Sequence, residues 1–249
     1  MRVAAIYDIH GNLPALEAVL QDIRQAEVDH IVVGGDVVPG PMPRETLARL
    51  LDPDIPVQFI QGNCEIAVLA EMAGRDPGPL PEQARAAMRW TAQQLRAADQ
   101  QLFESWPKTL RLGVPRIGDV LFCHATPRSQ TACFTRLTPE DRLLPVFDGL
   151  DLAAVVCGHT HMQFDRMIGK IRVVNAGSVG MPFGKPGAYW LLLGPNVELR
   201  HTQYDLTRAA ERIQDTEYPQ AQEFATRNVL QPPSEEEMLE AFARAELKS

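Results

Sequence analysis

The stretch VAAIYDIHGN, residues 3–12, joins an apolar run to two polar side chains that are two residues apart. The apolar part predicts a buried strand over Val3–Ile6, because short apolar runs bounded by turn residues are typical of strands. In an extended chain, residues i and i+2 point to the same side, so Asp8 and His10 leave the strand end together. A carboxylate and an imidazole on one side of a strand end indicate a metal site.

The composition of the 249-residue chain is that of an ordinary globular protein, with 45% hydrophobic and 22% charged residues. This length accommodates one main domain and a short helical tail. The net charge of -8 argues against stable nucleic-acid binding, since nucleic-acid surfaces usually carry a basic stripe. No apolar run approaches the roughly 18 residues of a membrane span, and no signal region precedes the first strand. We therefore expect a cytoplasmic protein without membrane association.

Apolar runs alternate with helical periodicity through the first half of the chain, which favours a partly parallel α/β sheet. A long helix is expected from about Pro81 to Glu104. The second half carries short, closely spaced apolar runs between turn residues, as is typical of hairpins. A two-sheet core flanked by helices satisfies both halves. The predicted fold is therefore an α/β/β/α sandwich with a C-terminal helical tail.

Helical signals dominate from Leu206 onward, which predicts a main domain over residues 1–205 and a helical extension over 206–249. In the extension, Met238, Leu239 and Phe242 recur at helical spacing. An apolar stripe of this kind indicates either a core contact or a dimer contact, so a homodimer is an open alternative.

Polar side chains follow five of the predicted strands, at the point where each strand ends. The carboxyl ends of strands in α/β sheets meet at one rim and form the ligand crevice. Four of the six histidines in the chain fall at these ends. The residues expected to meet there are Asp8, His10, Asp36, Asn63, His124, His159 and His161.

Each of these elements has a simpler explanation when it is taken alone. Asp36 after glycine is compatible with a plain turn, Asn63 with a helix cap, and the spacing of Asp8 and His10 with chance. Their ordered occurrence at successive strand ends is not explained in this way. The combination favours a metal site.

As a set, these motifs resemble the calcineurin-like metallophosphoesterases, and within them the small bacterial and archaeal phosphodiesterase branch. The motifs are Asp8-Ile9-His10, Gly35-Asp36, Gly62-Asn63-Cys64-Glu65, Cys123-His124 and Gly158-His159-Thr160-His161. The resemblance implies a metallophosphoesterase-like sandwich with a two-metal centre. The implied ligands are Asp8, His10 and His161 for the first ion, Asn63, His124 and His159 for the second, and Asp36 as the bridge.

The residue types agree with divalent cations on chemical grounds. Two carboxylates contribute about -2 against about +4 from two ions, which leaves positive charge for a phosphate. Imidazole, carboxylate and amide ligands suit Mn, Fe, Co, Ni or Zn better than Ca. The ligand types do not select one of these metals, and Mn is the ion we expect. Two such ions about 3.5–4 Å apart activate a bridging hydroxide for in-line attack at phosphorus. Direct transfer to water, without a phosphoenzyme, is therefore expected.

Position 64 departs from the commoner family pattern, in which a histidine follows the Gly-Asn pair. Cys64 is either a weak proton donor or a small residue that leaves room. Without a strong general acid, the site favours leaving groups that depart as stable anions. We therefore expect hydrolysis of small nucleotide-type phosphodiesters or phosphoanhydrides. The resemblance implies catalytic roles for Asp36, Asn63 and His124, with Cys64 as a further candidate.

Two further residues are candidates for substrate binding. Asn12 either contacts the phosphate or caps the helix that begins near Leu13, and the cap is favoured. Ser178 lies in a glycine-rich turn that either lines the site or connects two strands. The competing hypothesis for the whole protein is a non-catalytic metal-binding scaffold of the same fold that mediates protein contacts, as in a retromer subunit. The filled set of ligand positions weighs against that hypothesis.

Overall fold

The computed structural model of the protein describes residues 1–52 and 54–245. Within these residues the chain forms two five-stranded sheets. The strands are β1 (Val3–Ile6), β2 (His30–Val33), β3 (Val57–Phe59), β4 (Thr109–Val114), β5 (Gly118–Cys123), β6 (Ala154–Cys157), β7 (Phe164–Ile168), β8 (Ile171–Asn175), β9 (Ala188–Leu193) and β10 (Val197–Thr202). The helices are α1 (Leu13–Gln25), α2 (Pro43–Leu51), α3 (Asn63–Met72), α4 (Glu82–Gln94), α5 (Ala97–Ser105), α6 (Glu140–Phe147), α7 (Leu206–Gln214), α8 (Ala221–Phe224), a π-helical turn (Ala225–Leu230) and α9 (Glu235–Ala245).

The first sheet has the order β10-β9-β1-β2-β3. β1, β2 and β3 are parallel because α1 and α2 carry the chain back along the sheet between them. β9 and β10 form an antiparallel hairpin on the other side of β1. Every residue of β1 is buried, as expected for a strand that is covered on both faces.

The second sheet has the order β4-β5-β6-β8-β7, with three parallel strands in the centre and an antiparallel strand at each edge. The two sheets pack face to face. Val3, Ala5 and Tyr7 of the first sheet share one buried cluster with Phe122 and Val156 of the second. The period-2 alternation of strand side chains therefore decides which residues fill the space between the sheets.

Helices cover the outer face of each sheet. Ala4 and Ile6, on the opposite face of β1, pack in one cluster with Leu16 of α1. Val155 of β6 packs in another cluster with Leu143 of α6. The layers therefore follow the predicted α/β/β/α order, and the predicted fold class is confirmed.

The helix expected from about Pro81 to Glu104 is instead divided into α4 and α5. Leu95 and Arg96 are extended between them. The Asp99 carboxylate accepts a hydrogen bond of 2.9 Å from the Arg96 backbone N–H, which forms the capping box that starts α5. A local carboxylate cap thus interrupts a stretch whose helical pattern looks continuous.

The helices from α7 onward pack against the main body of the molecule. Ile213 and Phe224 share a buried cluster with Leu13 of α1 and Ala87 of α4. The extension is therefore attached through apolar contacts. The division of the chain at residues 205 and 206 stays a prediction, and residues 246–249 of the predicted extension lie outside the described residues.

The last helix lies on the surface, since none of the residues of α9, all of them described, is buried. The Glu235 carboxylate pairs with Arg136 at 2.7 Å, and the Phe242 ring centroid lies 6.2 Å from that of Phe183. The apolar stripe of this helix therefore contacts a loop of the main domain, not its core. The dimer contact stays a prediction.

Candidate metal centre

Backbone hydrogen bonds hold the loops after the central strands side by side. The Asp8 N–H donates to the Gly35 carbonyl at 3.1 Å, and the His10 N–H donates to the Asp36 carbonyl at 3.0 Å. Those bonds join the loop after β1 to the loop after β2. In the second sheet, the Gly158 N–H donates to the His124 carbonyl at 2.8 Å, which joins the loops after β5 and β6.

Five of the predicted ligands have a left-handed backbone conformation, which is uncommon for residues that carry a Cβ. Such a conformation costs on the order of 1–2 kcal/mol for a non-glycine residue. Strain of this kind concentrates at functional sites, where the surrounding structure holds it in place. The residues are Asp8 (φ 53°), His10 (φ 48°), Asp36 (φ 53°), His159 (φ 66°) and His161 (φ 58°).

The first group of ligand atoms comes from Asp8, His10 and His161. The Nε2 atoms of His10 and His161 are 3.3 Å apart, and His161 Nε2 lies 3.4 Å from Asp8 Oδ1. All three donor atoms lie within 4.8 Å of one another and belong to buried residues. Their spacing matches a set of ligands that surround one ion.

The second group comes from Asp36, His124 and His159, with Asn63 beside it. His124 Nε2 lies 3.4 Å from Asp36 Oδ2 and 3.2 Å from His159 Nδ1. The Asn63 side-chain oxygen is 2.9 Å from the same His124 nitrogen. The structure therefore brings together the three residues that the resemblance implies for the second ion and the residue that it implies as the bridge.

Asp36 lies between the two groups. Its Oδ2 is 3.9 Å from His10 Nε2 and 3.4 Å from His124 Nε2. Its Oδ1 accepts a hydrogen bond of 2.9 Å from the Cys64 backbone N–H, which fixes the rotation of the carboxylate. The carboxylate is thus held in a position from which it faces ligands of both groups.

The electrostatics of the site leave two imidazoles neutral. Burial, together with the neighbouring His161, lowers the pKa of His10 to about 4. Burial and the neighbouring His124 lower the pKa of His159 to about 4. Burial opposes charge on His124 as well, but the adjacent Asp36 carboxylate raises the pKa of His124 to about 10. Neutral ring nitrogens carry the lone pair that a metal ligand needs.

Carbonyl oxygens orient two of the histidine rings. The Nδ1–H of His124 donates to the Gly34 carbonyl at 2.9 Å, and the Nδ1–H of His161 donates to the Met181 carbonyl at 2.7 Å. These bonds direct Nε2 of both rings toward the cluster. Outer partners of this type are typical of metal-binding histidines.

The donor set fits divalent cations. Among the described residues, the buried Oδ1 of Asp8 has no hydrogen-bond partner. A buried carboxylate oxygen without a partner is unfavourable, and a cation at this position would satisfy it. Two carboxylates, four imidazoles and one amide oxygen suit a borderline transition-metal ion better than Ca.

Glu65 is a site residue that the sequence reasoning did not select. Its buried carboxylate accepts hydrogen bonds from the backbone N–H groups of Asp36 (2.9 Å), Val37 (2.8 Å) and Gly62 (2.8 Å), with Val38 at 3.4 Å. Burial and the nearby Asp36 charge raise the pKa of Glu65 to about 7. Its position three residues after the Gly62 helix cap is the capping-box signal that was available in the sequence.

Cys133 was also missed, and no sequence pattern pointed to it. Its Sγ lies 3.4 Å from His159 Nε2, while His159 Nδ1 faces His124. The thiol is half-buried in the loop that follows β5. It therefore lies against the ring edge of His159 that points away from the cluster.

The structure places the remaining candidates as follows. Cys64 is buried beside the cluster, and burial, reinforced by Asp36, raises the pKa of its thiol. Asn12 caps α1 by accepting from the Ala15 N–H at 3.2 Å. The buried Ser178 hydroxyl donates to the Asp8 carbonyl at 2.7 Å. These contacts give Asn12 and Ser178 structural roles, and their substrate contacts stay predictions.

Residues 1–194 match the calcineurin-like phosphoesterase superfamily domain. The chain therefore belongs to this superfamily, and the predicted family is confirmed. Membership indicates a hydrolase that acts on a phosphate ester and binds divalent metal ions. Among the described residues, no helix combines the length and the apolar character needed to cross a bilayer.

Two solved structures and a curated relative are similar to this chain over most of their length. The metallophosphoesterase from Sphaerobacter thermophilus is 28% identical, with a TM-score of 0.70 over 91% of this chain and 98% of its own. A hypothetical protein from Pyrococcus horikoshii OT3 has a TM-score of 0.76 at 19% identity, over 94% of this chain and 99% of its own, which shows the fold alone. An uncharacterized protein of Methanocaldococcus jannaschii is 28% identical over 238 residues, 88% of this chain and 94% of its own length.

Proposed function

We propose that the protein is a metal-dependent phosphodiesterase that hydrolyses small nucleotide-type phosphodiesters or phosphoanhydrides. The observation that carries the proposal is the position of Asp36, whose carboxylate faces ligands of both groups at 3.4 and 3.9 Å. Asp8 Oδ1 likewise lies 3.4 Å from His161 Nε2 and 3.9 Å from His124 Nε2, so both carboxylates lie between the two sets of imidazoles. Carboxylates placed between two ligand sets are what a two-ion centre requires, and Asp36 is the proposed bridge. Mn is the proposed ion.

The proposed centre divides the ligands between two ions. When bound, two divalent ions supply a water of lowered pKa and positive charge for the phosphoryl oxygens. The chain contributes the donor set, since backbone hydrogen bonds join the ligand-bearing loops and four of the seven ligands, Asp8, His10, Asp36 and His124, are buried. The proposed holders are Asp8, His10 and His161 for one ion, Asn63, His124 and His159 for the other, and Asp36 for both.

Cys64, beside the centre, favours substrates with a stable anionic leaving group. Cys64 stands where a proton donor to the leaving group would lie, and a thiol is a weaker acid than an imidazolium. A leaving group that departs as a stable anion needs no such donor. Aryl and phosphate leaving groups meet this condition, which supports diesters and anhydrides over alkyl monoesters.

A cytoplasmic location is part of the proposal. All four cysteines, each within the described ranges, are free. Three of them, Cys64, Cys123 and Cys157, are buried. Reduced thiols are typical of proteins that work in a reducing compartment.

The proposal is tested by the hydrolysis of a bis(aryl) chromogenic phosphodiester beside the matching aryl phosphate monoester. Purified protein is assayed with added Mn, after chelation, and as the variants Asp36→Ala and Asp151→Ala. Asp151 is exposed and precedes β6, whose other end carries the His159 and His161 motif, so its variant is the control for loss of one carboxylate. Metal content is measured on the same samples.

The expected result is Mn-dependent turnover that prefers the diester, is abolished by chelation and by Asp36→Ala, and survives in Asp151→Ala. Removal of a ligand shared by two ions should lower kcat/KM by more than about a thousandfold, comparable with the loss of a key transition-state contact. Protein that binds two ions yet hydrolyses neither ester would refute the proposal and support the scaffold hypothesis.

A further inference from the structure

A cavity of about 470 Å³ lies beside the metal centre, between α4 and the segment from Tyr218 to Met238. His10 and Cys64 form part of its wall, so the cavity opens onto the ligand cluster. Its volume is in the range of small-molecule binding sites. The C-terminal helices form one side of this cavity, and residues next to the metal centre form another.

Much of the wall is formed by aromatic and thioether side chains. The Tyr218 ring is held edge-on by Trp90, with centroids 5.2 Å apart, and by Phe224 at 6.2 Å. Met88 and Met181 add polarizable apolar surface. Flat aromatic groups pack favourably against surfaces of this composition.

Phe183 joins the cavity to the ligand cluster. Its ring stacks on the imidazole of His161, with centroids 5.3 Å apart and an interplanar angle of 21°. The same side chain lines the cavity. A planar group in the cavity would therefore share an aromatic wall with a proposed metal ligand.

Polar groups enter the cavity from the π-helical turn Ala225–Leu230, which carries Arg227 and Asn228. π-helical turns occur frequently at functional sites. Gln220 is already engaged, since its amide donates to the Gln83 carbonyl at 2.7 Å. In the described part of the chain, the Asn228 side-chain amide has no hydrogen-bond partner. An amide offers two donor hydrogens and an acceptor oxygen, which match the edge of a nucleobase.

We propose that this cavity binds a nucleobase, or another planar nitrogen heterocycle of that size, on a substrate whose phosphate lies at the metal centre. The aromatic and methionine side chains stack on the ring, and the Asn228 amide pairs with its edge. The charged groups of the lining, Arg227 and Glu223, are of opposite sign, so the base and not the charge is the proposed basis of recognition. The C-terminal helices would then select the substrate. The position of the phosphate rests on the proposed function, whereas the binding of the base does not require turnover.

The test is calorimetric titration of the full chain with adenosine 5′-monophosphate and with ribose 5-phosphate, which carries the same phosphate without the base. Each titration is performed with Mn and after chelation. Two variants on α4 are compared: Ala84→Trp fills the cavity, while Ala86→Trp introduces the same side chain at a position outside its lining. Thermal unfolding verifies that both variants are folded.

The nucleotide should bind about tenfold more tightly than the sugar phosphate, as expected for stacking of one base. The ratio of the affinity for the nucleotide to the affinity for the sugar phosphate should fall to near one in Ala84→Trp and persist in Ala86→Trp. Equal affinities in the wild-type chain, absence of nucleotide binding, or a ratio that survives Ala84→Trp would overturn the inference. Because the readout is binding, an inactive protein with a normal ratio would refute the proposed phosphodiesterase and leave the base site standing.

Discussion

The most informative perturbation is Glu65→Gln, because one buried carboxylate holds the two loops that carry Asp36 and Asn63. Its Oε1 accepts from Val37 at 2.8 Å and from Val38 at 3.4 Å. Its Oε2 accepts from Asp36 at 2.9 Å and from Gly62 at 2.8 Å. All of the donors are backbone N–H groups, so a side chain with a donor of its own does not suit the site.

The expected loss in the free energy of unfolding follows from these contacts. Glutamine replaces one carboxylate oxygen by an NH₂ group, so the two backbone N–H groups facing that atom lose their acceptor. A hydrogen bond to a charged group contributes about 1.5–3 kcal/mol, and one of the four bonds is long. Glu65→Gln should therefore lower the free energy of unfolding by about 3 kcal/mol. Loosened support of Asp36 should also weaken Mn binding by about 10–100-fold.

The assay is urea unfolding monitored by circular dichroism, with Mn affinity measured by calorimetry in alkaline buffer, where Glu65 is ionised. Glu71→Gln is the matched control on the same helix. Glu71 pairs with the exposed Arg89 at 3.8 Å, so its loss should cost less than about 1 kcal/mol. If the free energy of unfolding of Glu65→Gln lies within about 0.5 kcal/mol of the wild-type value and the Mn affinity is unchanged, the hydrogen-bonding argument is wrong.

Two further predictions concern stability away from the centre. Phe122 is fully buried between the sheets, so Phe122→Ala should lower the free energy of unfolding by about 3–5 kcal/mol, and a loss below about 1 kcal/mol in urea unfolding would contradict this packing. The Arg96 side chain lowers the pKa of Asp99 by hydrogen bonding. The contribution of Asp99 to the free energy of unfolding is therefore present above the unfolded-state pKa of about 4. It is lost as pH falls through the lower pKa of the folded state. The stability difference between wild type and Asp99→Asn should accordingly shrink in acid, and a difference that is constant with pH would exclude this linkage.

Several parts of the centre were predictable because they are local. Asp8 and His10 directly follow an apolar strand, and parallel strands place their carboxyl ends at one rim. The extended backbone assumed for their i and i+2 spacing was wrong, because both residues have a left-handed conformation. The residue types then restrict the chemistry, since imidazole and carboxylate in one cluster indicate a metal. The structure brings all seven predicted ligands together, while their individual assignments stay predictions.

Other parts depended on contacts between distant segments. Glu65 meets Asp36 across 29 positions of sequence, and Cys133 meets His159 across 26. Neither spacing nor composition reports contacts of this kind.

The sequence by itself determined the strand ends, the ligand types and the family, because strand periodicity depends on neighbouring residues and the order of the motifs is a property of the chain itself. Tertiary structure decided how the Asp8 and Asp36 carboxylates face the two ligand groups, which backbone groups Glu65 holds, and where the C-terminal helices lie. The cavity beside His10 and Cys64 is the clearest case, since residues more than 200 positions apart form its wall. Packing of the whole chain brings these residues together, and no local sequence pattern encodes a contact across such a sequence separation.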